Sequence, residues 1–209
     1  MTAQKIIACG DDAYRLIPSD NHQRHSIAEA LRSSDVWDEV VVGRESVTVQ
    51  YDPCETPPEV ARTHILSAMD QADLAQQEIG SSITLRMRID EKSAPELAAC
   101  AKANGLPVDA FLDRITRSDL IVDMLGFAPG FAYVSGVDDT LAGQRLEHPR
   151  QLTHAGSVGF IQGFLGIYAL DGPGGWPVIG RISERLFDKT SQDPVLLAPG
   201  TRIKLEVSQ

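Results

Sequence analysis

The chain has 209 residues, 43% hydrophobic and 23% charged, and a formal net charge of −10 from 19 basic and 29 acidic residues. That length fills one large domain or two small ones and is enough to bury a core. An acidic chain without a basic run repels phosphate backbones and anionic lipid, which excludes nucleic acid and membrane surfaces as first partners. Its apolar stretches fall short of the roughly 20 residues that span a bilayer. Met1–Gly10 lacks the basic then apolar pattern of a secretory signal. Cys9, Cys54 and Cys100 are an odd number without a close pair, which fits a reducing, cytoplasmic setting.

Composition divides the chain. Residues 1–80 carry 6 Lys/Arg against 14 Asp/Glu, and 12 of the 17 glycines fall between positions 126 and 180. An acidic first domain and a glycine-rich second one are expected to join near Ile79–Ser82.

In the first part, Ala13–Pro18 reads as a short strand. Ser19 or Asn21 then offers a cap for a helix to about Ser33, with Ile27, Ala30 and Leu31 on one face. Val36–Val42 and Ser46–Tyr51 are β-branched runs about a Gly43-Arg44 turn, ended by Asp52-Pro53. Pro57-Pro58 opens a helix whose Ala61, Ile65, Ala68, Met69 and Ala72 repeat at helical spacing. Ile83, Leu85, Met87 and Ile89 alternate as a strand that either closes the first sheet or opens the second domain. The expected order is βαββαβ, a ferredoxin-like α/β domain over residues 1–80.

A helical insertion at 93–116 follows. Ser93-Ala94-Pro95-Glu96 supplies a cap, a first-turn proline and a capping-box acid for Leu97–Ala103, and Pro107 starts a second helix to about Thr116. Beyond it, Ile121–Leu125, Ser157–Gln162, Gly166–Leu170, Pro177–Arg181 and Thr201–Val207 are short strand candidates with regular turn signals. They predict a small β-barrel or sandwich over 81–209. The fold class expected is α+β.

Strong chemical motifs are absent: no Gly-x4-Gly-Lys-Ser/Thr, no Gly-x-Gly-x-x-Gly after a strand, no His-Glu-x-x-His and no Cys-x-x-Cys. His22 and His25 read as surface residues, and the three thiols as inert. Ser157 misses the Gly-x-Ser-x-Gly elbow because position 155 is alanine, so a turn serine is the better reading. Three segments point to a site. Gly126–Tyr133 crowds three aromatics around a glycine-proline turn, Asp171–Pro177 carries Trp176 in a glycine-rich loop, and Ile179-Gly180-Arg181 follows. Rigid aromatics and arginine on β-scaffold loops suit a small-molecule or partner site, and they equally suit a tight barrel turn with its aromatics inward.

Leu125-Gly126-Phe127-Ala128-Pro129-Gly130-Phe131, His148-Pro149-Arg150, Ala155-Gly156-Ser157-Val158-Gly159 and Gly166-Ile167-Tyr168 stand in order. Gly172-Pro173-Gly174-Gly175-Trp176, Ile179-Gly180-Arg181, Leu186-Phe187-Asp188 and Pro199-Gly200 follow, with Tyr51-Asp52-Pro53 earlier. Together they resemble the family of 5-oxoprolinase B subunits, also called allophanate hydrolase subunit 1, which includes the kinase inhibitor KipI. The resemblance implies an N-terminal α/β domain and a cyclophilin-like β-barrel. It also implies membership, without activity alone, in an ATP-dependent complex that opens 5-oxoproline or a related cyclic amide to glutamate. Its partners would be a C-subunit homologue (allophanate hydrolase subunit 2-like) and a LamB/YcsF-like A-subunit homologue, and its ligand a small lactam. Alternatives within the resemblance are a KipI-like regulator of a histidine kinase and part of an allophanate- or urea-type hydrolase.

Within that scheme Arg150 and Arg181 would hold a carboxylate or phosphate. Phe127, Pro129, Phe131, Tyr168 and Trp176 would wall a pocket, and backbone N–H groups at Gly156-Ser157 and Gly174-Gly175 would cradle an oxyanion. The chain departs from the family pattern at His154, where a proline is expected, at Phe164-Leu165, where small or polar residues are, and at Ile115-Thr116 and Leu120-Ile121, where His-Ser and Tyr-Arg are. Phe164 and Leu165 would then fill a once-polar pocket, or join Phe160 in a subunit interface or the barrel core.

Overall fold

Alternating apolar residues and two helix-period runs build the first of two units in a computed structural model that describes residues 5–18, 21–74 and 81–208. The units are Met1–Ile79 and Gly80–Gln209. In the first, β1 (Lys5–Ala8) and β2 (Ala13–Ile17) form a hairpin, followed by α1 (Asn21–Arg32). Then come β3 (Glu39–Val42), β4 (Val47–Gln50) and α2 (Pro58–Leu74). All pairings are antiparallel, in the order β1-β2-β4-β3. Ser19, one of the two expected caps of α1, lies outside the described residues.

The expected βαββαβ order is corrected at both ends. β1 supplies the fourth strand, in register Lys5↔Ile17, and the Ile83 strand belongs to the second unit, giving ββαββα instead of the ferredoxin-like split arrangement. The physical reason lies in partners: Lys5–Ala8, Lys-Ile-Ile-Ala, is too short to show strand alternation and gains its place from the hairpin. The α2 pattern is buried as its spacing requires, with Ala61, Ile65, Ala68, Met69 and Ala72 at 6% exposure or less. Ile65, Ala68, Met69 and Ala72 share one core with Ile27 and Leu31 of α1 and with Val47 and Val49 of β4.

The second unit starts with β5 (Ser82–Arg88), then α3 (Leu97–Ala103), α4 (Val108–Thr116), β6 (Leu120–Leu125) and β7 (Ala132–Ser135). It continues with β8 (Arg150–Thr153), β9 (Ser157–Ile161), β10 (Phe164–Ile167), β11 (Gly172–Gly174), β12 (Val178–Ile182) and β13 (Arg202–Ser208). Seven strands close a barrel in the order β10-β7-β6-β13-β5-β12-β9, with β8 and β11 as a separate ribbon. β5 and β13 pair in parallel over seven residues, from Ser82↔Arg202 to Arg88↔Ser208. Alternation then points Leu85 and Met87, with Ile203 and Leu205, into the core.

Phe111, Leu112 and Ile115 of α4 join that core, and Phe111 meets Phe160 of β9 edge-to-face at 5.3 Å. Phe160 and Leu165 are fully buried, so they belong to the barrel core and not to an interface. Ile115 and Leu120 are buried as well, which removes them from any ligand surface. Glu96 occupies the N-cap position of α3 without a side-chain cap bond, and Asp90 instead accepts hydrogen bonds from the Ser93 N–H and hydroxyl at 2.9 Å each. Among the described residues no helix is long and apolar enough to cross a membrane.

Gly136 follows β7 at φ +88°, and a Cβ there would lie 2.0 Å from the Asp119 carbonyl oxygen. Gly136→Ala is expected to lower stability by about 2 kcal/mol or more, from left-handed strain and from the clash. Urea unfolding would read this as a lowered midpoint, and an unchanged midpoint would contradict the close approach.

Candidate functional site

The turn between β6 and β7 holds an aromatic residue in a conformation that glycine usually takes. Phe127 has φ +67° and is 64% exposed. The Ala128 N–H donates to the Gly126 carbonyl at 2.7 Å across it, closing a three-residue γ-turn, and Gly126 N–H returns to the Phe131 carbonyl at 3.2 Å. Positive φ is strained for a bulky side chain, and such strain concentrates where a residue is presented rather than packed. Pro129, in the same turn, is also exposed.

Behind Phe127 lies a cluster centred on Phe131. Its ring meets Phe127 at 5.3 Å, Tyr133 at 4.9 Å, Tyr168 at 5.0 Å and Trp176 at 6.4 Å, all edge-to-face. Gly166 makes the approach possible, because a Cβ there would sit 2.8 Å from the Phe131 ring. Phe131, Tyr168 and Trp176 are buried, so the four aromatics expected from sequence do come together, but three of them form a packed support and only Phe127 shows its ring. Tyr133 belongs to the cluster and was not among the expected site residues. Its spacing of two from Phe131, which puts both on one strand face, was the available signal. Burial pushes the Tyr168 phenol above its ordinary value, partly offset by the hydrogen bond its oxygen accepts from the Trp176 N–H.

Arg150 stands elsewhere in the expected scheme than its role required. Its guanidinium is already paired with Glu96, whose other oxygen accepts the Val178 N–H at 2.7 Å. The carboxylate that Arg150 meets is internal: the pair joins β8 to the start of α3, and the Glu96–Val178 bond joins that start to β12. The backbone cradle at Gly156-Ser157 is likewise occupied: Gly156 N–H donates to Tyr168 O at 2.7 Å and Ser157 N–H to His154 O at 3.1 Å. Ser157 is buried at the start of β9.

Arg181 is placed differently. It lies on β12 beside a cleft of about 410 Å³ lined by Ala155, Gly156, Ala169 and the segment 181–186, with Arg88 from β5. Its Nε donates to the Ala155 carbonyl at 2.9 Å. Gly156, at φ +83°, lets this loop press on β12, since a Cβ would lie 2.5 Å from the Ile182 carbonyl. Asp171 anchors the same loop by accepting the Ala155 N–H at 2.7 Å, and His154 stands 3.4 Å from its other oxygen. The Ala155 N–H, then His154, hold the Asp171 carboxyl below the usual aspartate value.

Cys9 and Cys54 are exposed and outside any disulfide, and burial, with Glu96 beside it, pushes the Cys100 thiol up to about 11. Among the described residues no group of three or more His, Cys, Asp or Glu is arranged to hold a metal ion.

Removing Phe127 and Phe131 is expected to give opposite kinds of result. Phe127→Gly relieves strain and stays within about 1 kcal/mol of the parent, while Phe131→Ala loses about 3–5 kcal/mol from the packed cluster. Chemical denaturation of both variants checks this, and equal losses would contradict it. The lowered Asp171 carboxyl sets a pH dependence too. Its tie to Ala155 is fully present above the ordinary aspartate value and is lost as pH falls through the lowered one. An NMR titration of the Asp171 carboxyl should show a midpoint below that of a model aspartate, and a midpoint at or above it would refute the tie.

The model of the carboxyltransferase domain, subdomain C and D, matches residues 5–197. The chain is 31% identical over 186 residues to the 5-oxoprolinase B subunit of Haemophilus influenzae, covering 88% of this chain and 86% of that one. It is 32% identical over 169 residues to the Bacillus subtilis protein of the same name, covering 76% and 70%. Among solved structures, the uncharacterized protein PH0987 from Pyrococcus horikoshii shares 31% identity at a TM-score of 0.60, covering 98% of both chains. TTHA0988 shares the fold at a TM-score of 0.79 with 24% identity, and this chain, 94% covered, spans 40% of that chain's length. The Kluyveromyces lactis urea carboxylase shares the fold at 0.74 with 14% identity, covering 99% of this chain and 22% of that one. Matched along most of its length by one family model and by relatives above 30% identity, the chain belongs to the carboxyltransferase C/D-subdomain family that contains the 5-oxoprolinase B subunits.

Proposed function

We propose that this chain is the B subunit of an ATP-dependent 5-oxoprolinase-type complex, inactive alone, that opens 5-oxoproline or a related cyclic amide to glutamate. The observation that carries the reading is the identity of 31–38% to three proteins named as 5-oxoprolinase B subunits. A five-membered lactam resists water because amide resonance makes its carbonyl carbon a poor electrophile. Phosphorylating the amide oxygen removes that resonance and provides a leaving group, which is the chemistry ATP supplies to the complex. ATP is assigned at the level of the complex, and the sequence contains no Gly-x4-Gly-Lys-Ser/Thr loop.

In this reading the partners are a C-subunit homologue and a LamB/YcsF-like A-subunit homologue. Phe127 and Pro129 offer an exposed, pre-set apolar turn at which lactam or partner protein meets the barrel. Phe131, Tyr168 and Trp176 hold that turn from beneath, so their role is positioning. Arg181 holds a carboxylate or a phosphate, in keeping with its place beside a cleft. Arg150 contributes by bracing α3 through Glu96.

Reconstitution tests the proposal. The chain mixed with its genomically neighbouring A- and C-type homologues should release glutamate from 5-oxoproline only with ATP, and omission of any one protein should abolish release. Activity that persists without this chain would overturn the reading. A stable complex that leaves 5-oxoproline untouched would overturn the substrate.

A further inference from the structure

We propose that the cleft beside β12 is a phosphate-binding site built by Arg88, Arg181 and Arg185, one that takes a compact dianionic oxyanion. This goes beyond the oxoprolinase reading, with which it shares Arg181, because it concerns what the chain binds by itself.

The first observation is the strand register. Arg181 of β12 and Arg88 of β5 are direct cross-strand partners in an antiparallel pair. Opposite residues share a face, and like charges there repel. Fold stability alone favours an opposite charge or a neutral residue at one of the two positions. A site that needs two guanidinium groups on one face explains the pairing.

The second observation is the cleft those arginines border. At about 410 Å³ it is the size of a small-molecule site, and Arg185 reaches it from the loop after β12. Its floor is small or apolar: Ala155, Gly156, Ala169, Ile182 and Leu186. The carboxylate in the lining, Glu184, is turned to the chain. Its oxygens accept the Arg86 N–H at 3.2 and 3.3 Å and the Ser183 N–H at 3.2 Å, with the Arg86 side chain 3.9 Å away. Three guanidinium groups therefore share a concave surface with one carboxylate whose acceptors are taken up by other donors.

The third observation concerns the donors left over. A guanidinium carries five N–H groups. Arg181 spends its Nε on the Ala155 carbonyl. Arg185 gives Nε to the Phe187 carbonyl and one terminal nitrogen to Asp188 at 3.0 Å. Arg88 has Asp90 at 4.0 Å, the outer limit of an ion pair. Asp171, near Arg181, is tied to the Ala155 N–H. The planar forks that remain match the oxygens of a phosphate, and the excess of positive charge selects a dianion over a monocarboxylate. Tyr168 and Ala169 are consecutive, the first in the aromatic cluster and the second lining the cleft, so a ligand here lies one residue from the barrel's aromatic support.

The test titrates the full chain with inorganic phosphate, with ATP and with acetate, followed by calorimetry and by amide NMR shifts. Inorganic phosphate is expected to bind, shifting amides at 155–156 and 181–186, and acetate to bind more weakly. Arg88→Gln and Arg185→Gln, on exposed side chains that leave the fold intact, should each weaken phosphate binding by roughly tenfold or more. Tighter binding of ATP than of phosphate, with the same dependence on Arg88 and Arg185, would identify the phosphate as a nucleotide's. Absence of phosphate binding, binding by either variant as tight as by the parent chain, or acetate binding as tight as phosphate would each overturn the proposal.

Discussion

The parallel pairing of Ser82–Arg88 with Arg202–Ser208 is the contact on which the second unit depends. It joins the first and last strands of that unit, some 120 positions apart in sequence, and so closes seven strands into a barrel. Closure gives each of these strands a neighbour on both sides, β12 beside β5 and β6 beside β13. It also fixes which side chains face inward, because alternation leaves one choice once the register is set. Leu85, Met87, Ile203 and Leu205 go in, and Arg88 is left at the end of β5, opposite Arg181. The site is thus a by-product of register: a slip of one residue would turn Arg88 to the other face.

The helical insertion depends on the same closure. α4 lays Phe111 and Ile115 into the barrel core, and Glu96 at the start of α3 reaches Val178 of β12 and the Arg150 guanidinium. Two arginines with equal standing in the sequence acquire different work from this. Arg150 meets a carboxylate of its own chain, whereas Arg181 meets a carbonyl and a cleft. Against a net charge of −10, a cleft with three arginines is a local reversal of sign.

Strain and packing divide the aromatic residues. Phe131, Tyr168 and Trp176 bury most of their surface against each other, which makes them a rigid base. Phe127 sits on that base at positive φ with its ring in solvent, and the surrounding hydrogen bonds over-determine the turn. An exposed phenylalanine in a strained turn has no stabilising reason of its own, so the proposed role in meeting ligand or partner accounts for it.

Much of this was legible in the sequence. Helical spacing alone identified the buried face of α2, and the β-branched runs identified β3, β4 and most of the longer barrel strands, because those patterns are local consequences of a 3.6- or 2-residue period. The ordered motifs pointed to the family, and the aromatic-rich turns pointed to the cluster. Short strands such as Lys5–Ala8, Ala132–Ser135 and Gly172–Gly174 carried too little pattern and exist through their partners. Only the tertiary structure decided that the Ile83 strand belongs to the barrel, that Arg150 meets Glu96, and that Arg88 faces Arg181. Each of these is a pairing between residues far apart in the chain. Residue type and spacing report what a segment can do, while chain closure chooses which distant partner it meets.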